Sequence, residues 1–91
     1  MTLLEIKRLL RNGPYAWPGG YPMYFVTSDG AALSFKTVRA EWREIVWAHL
    51  ANLTSSGWHI AGAAINWEES DLYDSHTDEQ IESAYAEDQS N

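Results

Sequence analysis

Between Gly13 and Pro22 the chain carries three prolines and three glycines among aromatic residues, in the order Gly-Pro-Tyr-Ala-Trp-Pro-Gly-Gly-Tyr-Pro. Proline fixes φ and removes an amide donor, and glycine removes the side chain that biases φ, so neither a helix nor a central strand runs through such a segment. It must be an irregular connection. Whatever precedes it has to be finished within the first 12 residues. There Thr2-Leu3-Leu4-Glu5 has capping-box form, Leu3, Ile6, Leu9 and Leu10 recur at helical spacing, and Lys7, Arg8 and Arg11 bring positive charge toward the helix end. Asn12-Gly13-Pro14 is a stop signal. The pattern predicts a short amphipathic helix over residues 3–11.

Beyond the interruption, Met23 to Thr27 reads as a strand, Asp29-Gly30 as a hairpin turn and Ala31 to Phe35 as the returning strand. Thr37 is positioned to cap a second helix, in which Val38, Trp42, Ile45, Val46, His49, Leu50 and Leu53 form an apolar stripe while Arg39, Arg43 and Glu44 fall off it. Ser55-Ser56-Gly57 ends that region, and Trp58 to Trp67 reads as a third strand. Glu68 onward is polar and acidic, with Ile81, Ala84 and Tyr85 spaced for a helical turn or two. The expected fold class is α+β: a small three-stranded antiparallel sheet with a packed amphipathic helix, a short N-terminal helix and an acidic C-terminal segment. Residues 1–86 are expected to form one domain, with 87–91 as a frayed acidic tail.

Such a domain buries a modest share of its surface. With 91 residues, of which 13% are aromatic, including five Trp and five Tyr, a few large side chains can anchor a small core. The absence of cysteine excludes disulfides, thiolate metal sites and a cysteine nucleophile. No apolar run approaches a membrane span, and no charged n-region followed by an apolar stretch opens the sequence. The expectation is a soluble, cytoplasmic protein with no membrane partner. Charge is unevenly spread. All six Lys and Arg lie at or before Arg43 with three acids, whereas the chain from Glu44 onward has ten acids and no Lys or Arg, for a net −7. The acidic end can lie against its own basic face or meet a basic partner.

The Gly13–Pro22 segment, together with Asp71-Leu72-Tyr73-Asp74-Ser75-His76-Thr77 and Ile81-Glu82-Ser83-Ala84-Tyr85, resembles a family of short, functionally uncharacterised proteins encoded by bacteriophages and prophages. The resemblance covers roughly residues 3–86. It implies a zinc-ribbon-like Cys/His pattern at positions that here hold Ser34, Thr37, Asp74 and His76. Hydroxyls are poor zinc ligands, and one His with one Asp does not close a tetrahedral structural site. The resemblance therefore implies a degenerate knuckle in which hydrogen bonds and packing stand in for the metal, with no metal and no cofactor.

Candidate contact residues are Trp17 and Tyr21 of the aromatic loop and Trp47, which lies off the helical stripe. The loop aromatics read first as a lid on the core, with contact as the alternative, whereas Trp47 is as open to widening the buried stripe against the first helix as to marking a contact face. Glu68, Glu69, Asp71, Asp74 and Asp78 are candidate acidic contacts, against the plain alternative of a solvated face. A calcium loop is not supported, because the alternating acids with a central glycine are missing. His49 sits on the apolar stripe, His59 in a strand and His76 in the acidic stretch, with no nucleophile motif or phosphate-cradling loop beside them, so no catalytic residues are expected. The reading is a non-enzymatic phage or prophage accessory protein, acting in the host cytoplasm by binding a host protein, with inhibition of a defence or nucleic-acid-handling complex through an acidic surface as its sharpest form. The alternatives are a nucleic-acid-binding accessory protein using Lys7, Arg8, Arg11, Arg39 and Arg43, which the overall negative charge opposes, and a structural or self-assembling protein.

Overall fold

The computed structural model describes residues 1–85; the expected frayed tail at 87–91 lies outside the described residues. The elements are helix α1 (Leu3–Asn12), strands β1 (Tyr15–Ala16), β2 (Tyr21–Thr27) and β3 (Ala32–Leu33), helices α2 (Phe35–Ala40) and α3 (Trp42–Leu50), and strand β4 (Ile60–Ile65). The class is α+β with an antiparallel sheet, but of four strands rather than three. The extra strand comes from the Gly/Pro segment itself. Pro14 and Pro18 flank a two-residue strand, and a turn with Gly19 and Gly20 at positive φ folds it back on β2.

The N-terminal helix forms as its sequence dictates. The Thr2 hydroxyl accepts from the Glu5 amide, the Glu5 carboxylate accepts from the Thr2 amide, and Gly13 at φ 92° closes the far end. β2 is the organising strand. Met23 and Thr27 donate toward Pro14 and Ala31, so β1 and β3 share one edge, while Pro22 accepts from Asn66 on the other edge, where β4 runs. The β2–β3 hairpin closes through Asp29-Gly30, with Gly30 at φ 89° as the left-handed residue of a three-residue loop.

Two local expectations are corrected. The returning strand stops at Leu33, because Ser34 rather than Thr37 caps the next helix, its hydroxyl accepting from the Thr37 amide, which places Phe35 in α2. The expected single helix is broken at Glu41, whose ψ of 32° interrupts it; the Glu41 carbonyl then accepts from both Glu44 and Ile45 as α3 restarts. The restart changes the buried face. Val38, Ile45 and Ala48 are buried, whereas Leu50 and Leu53 are exposed. The core consists of Ile6, Phe25, Leu33, Phe35, Val38, Ile45 and Ile60, with the Phe25 and Phe35 rings stacked 4.4 Å apart. Each such side chain contributes about 1.5–3 kcal/mol through its burial.

The acidic segment is not a detached tail. Residues 81–85 form no helix. They run back along the end of the sheet, with Ala84 and Tyr85 donating to the Asn66 and Trp67 carbonyls, Ile81 buried, and a bridge pairing Tyr73 with Gln80. Helical spacing misled here because an extended segment anchored at intervals can show the same sparse apolar residues. Among the described residues, no helix is long and apolar enough to cross a membrane.

Candidate functional site: an aromatic platform beside a buried aspartate

The register of β2 on β4 places Met23 opposite Ile65. Continued by two residues, it places Tyr21 opposite Trp67, and their rings lie 4.7 Å apart at 53°. Tyr85, brought in by the returning segment, lies nearly parallel to Trp67 at 6.2 Å. The outcome is a run of aromatic rings at the end of the sheet. Trp67 is 45% exposed and Tyr85 60%. A side-chain hydrogen bond with Tyr21 raises the Tyr85 phenol above its ordinary value.

Asn66 fixes this platform. Its amide nitrogen donates to the carbonyls of Glu69 and Glu82, and its side-chain oxygen accepts from the Glu69 amide. One buried side chain thus joins the end of β4, the turn after it and the returning segment at Glu82. On the adjoining side, the Tyr15 hydroxyl donates to Glu82 at 2.7 Å, which raises the Tyr15 phenol. Gly19 is required where it stands, since a Cβ there would come within 2.5 Å of the Tyr21 ring at φ 108°.

Glu68 and Glu69 follow Trp67 directly, are exposed, and line an open depression with Tyr24 and Trp67. Asp71 and Asp78 are also exposed. Trp17 projects from the β1–β2 turn, 74% exposed, its ring lying over Gly20. Tyr21 is half-buried against Trp67 while Trp17 points out, so the two loop aromatics differ in exposure. Trp47 is 63% exposed on α3, where Leu50, three residues on, is exposed as well.

Asp74 corrects the expectation of an acidic contact, because it is fully buried. One carboxylate oxygen accepts from the Ser34 amide at 2.8 Å and the other from the His76 and Thr77 amides at 2.7 and 2.9 Å. Burial alone would raise its pKa. The Ser34 amide, the Thr37 hydroxyl and the Thr77 and His76 amides outweigh that and hold it at about 2. Ser34, Thr37, Asp74 and the backbone of His76 therefore meet, joined by hydrogen bonds. The His76 ring turns elsewhere, edge-on to Trp58 and 3.6 Å from Glu41. No group of three or more His, Cys, Asp or Glu side chains that could hold a metal occurs among the described residues.

The sequence alone points to no contact role for Trp67, Tyr85 or Asn66. An aromatic pair at 21 and 67 becomes visible only once the strand register is known. No protein-family model, curated protein or solved structure matches the chain.

Proposed function

We propose that this protein is a non-enzymatic binding protein whose contact surface is the Tyr21–Trp67–Tyr85 platform with its Glu68 and Glu69 rim. The observation that carries the reading is the exposure of the stacked Trp67 and Tyr85 rings, backed by Tyr21 at the sheet end, next to Glu68 and Glu69, whose carboxylates form no ion pair among the described residues. Tyr and Trp supply large contact area at small conformational cost, and a carboxylate rim steers a basic partner and sets its orientation. The partner that fits is a protein surface presenting Arg or Lys, which can lie against the rings while pairing with the rim. Trp17 extends the contact, and Asp71 and Asp78 contribute to the field. The assignment of that partner to a bacterial host, and of the chain to a phage or prophage, rests on the family resemblance alone.

The test is affinity capture from bacterial lysate, with and without nuclease, comparing the wild type with Trp67→Ala and with the pair Glu68→Lys and Glu69→Lys. A stoichiometric protein retained by the wild type and lost by both variants supports the reading. Equal retention by all three places the contact elsewhere. Recovery abolished by nuclease favours the basic helices and nucleic acid.

A further inference from the structure

Between α1 and the α2–α3 pair lies an open groove of about 390 Å³, lined by Lys7, Leu10, Arg11, Arg39 and Trp42. Lys7 and Arg11 stand one helical turn apart on the same face of α1. Arg39 enters from α2, and its Nη2 donates to the Leu10 carbonyl at 2.6 Å. That carbonyl belongs to the last turn of α1, where the helix offers it no partner. The bond fixes the guanidinium at the groove and leaves most of its donors free.

Nothing in the described chain neutralises these cations. The ion pairs among the described residues are Lys36 with Glu79 and His76 with Glu41, and neither involves a groove residue. A chain of net charge −7 thus holds three cations around one concavity with no carboxylate among the described residues paired to them. A single carboxylate is satisfied by one arginine fork, so three cations call for an anion with more charge and more acceptor oxygens. A phosphate monoester, at about −1.5 to −2 near neutral pH, meets that need. Trp42 and Leu10 add an apolar wall suited to a planar ring, and the volume lies in the range of small-molecule sites. The negative field of the rest of the molecule repels a long polyanion far more than a single phosphorylated unit.

We propose that this groove binds a nucleoside monophosphate unit, with the phosphate held by Lys7, Arg11 and Arg39 and the base against Trp42. A free mononucleotide and the phosphorylated end of a single strand offer the same chemistry.

Isothermal titration of the full chain with adenosine monophosphate, adenosine, inorganic phosphate, a 5′-phosphorylated oligoadenylate and a glutamate-rich peptide tests this. Adenosine monophosphate should bind at least about tenfold more tightly than adenosine or phosphate, and Lys7→Ala and Arg39→Ala should each weaken it by about tenfold. Arg8→Ala removes the same charge from α1 outside the groove and should change binding by less than about twofold. Circular dichroism checks the variants; should Arg39→Ala lose helicity, Lys7→Ala and Arg11→Ala, both on the exposed face of α1, carry the comparison. Equal affinity for the mononucleotide and the strand supports the free ligand, and tighter, salt-sensitive binding of the strand supports the strand end. Adenosine binding as well as its monophosphate, Arg8→Ala weakening as strongly as Lys7→Ala, or a glutamate-rich peptide binding more tightly through the same residues would each overturn the proposal.

Discussion

Asp74 and Glu69 belong to one acidic stretch of sequence and have opposite fates. Asp74 is buried, and its carboxylate is occupied by the amides of Ser34, His76 and Thr77. Glu69 is exposed; its backbone is tied to Asn66, and no ion pair among the described residues involves its carboxylate. What separates them is the supply of donors. An acid can leave water only where several N–H groups converge to replace it. The start of α2 and the turn at residues 74–77 provide that convergence. The comparison teaches that a run of acids is not one functional unit. Part of it fastens the chain to itself, and only the remainder is available to a partner.

Removing the fastening should have the largest effect. Asp74→Ala leaves the Ser34, His76 and Thr77 amides without their acceptor and frees the start of α2 from the later turn. The expected loss is about 3 kcal/mol of folding stability, read from urea denaturation. A loss below about 0.5 kcal/mol would show that water replaces the carboxylate there and would erase the contrast with Glu69.

Acid should reach the same contact without mutation. The folded Asp74 titrates at about 2, against an ordinary 3.8. A depressed folded pKa means the stabilisation is complete above 3.8 and is lost as pH falls toward about 2, amounting to about 2 kcal/mol. His49 adds an earlier step of the same sign. Burial, and then the neighbouring His59, lower its pKa from 6.5, and its Nε2 accepts from the Ile60 amide, so protonation below 6.5 favours the unfolded chain. Denaturation midpoints against pH should therefore fall in two stages. Asp74→Asn should remove the lower stage and His49→Gln the upper one.

The order in which features became legible follows from range. The α1 capping box and the Asp29-Gly30 turn are contacts within a few residues, and both stand in the structure as their residues dictate. The α+β class likewise followed from the periodicities. The break at Glu41 has no proline or glycine to announce it, and the stripe from Val38 to Leu53 reads as continuous until tertiary packing selects which side chains are buried. Asp74, Asn66 and the Tyr21–Trp67 pair depend on contacts 40, 16 and 46 residues apart in sequence. Their residue types say only that they are polar or aromatic. The burial that makes two of them structural, and the exposure that makes the third a surface, come from strand register and from the return of residues 81–85.

Ser34→Ala tests a smaller part of the same knot. It removes the N-cap acceptor for the Thr37 amide while leaving the Ser34 amide free to donate to Asp74. About 1 kcal/mol should be lost, and the acid stage assigned to Asp74 should persist. Loss of that stage would mean that the cap, rather than the Ser34 amide, holds the carboxylate in place.

The smallest stability effect belongs to the other side of the comparison. Glu68→Gln with Glu69→Gln leaves the backbone bonds to Asn66 intact and removes charge only from solvent, so stability should move by less than about 0.5 kcal/mol. Partner association should respond instead. Surface carboxylates act through the long-range field, so their neutralisation should slow association and flatten its salt dependence, with dissociation little changed, as surface plasmon resonance would resolve for a captured partner. Trp67→Ala should do the reverse, speeding dissociation, because an aromatic contact is made only after encounter. If the glutamine pair destabilises the fold as much as Asp74→Ala, Glu68 and Glu69 are fastenings too, and the division drawn between the buried and exposed acids fails.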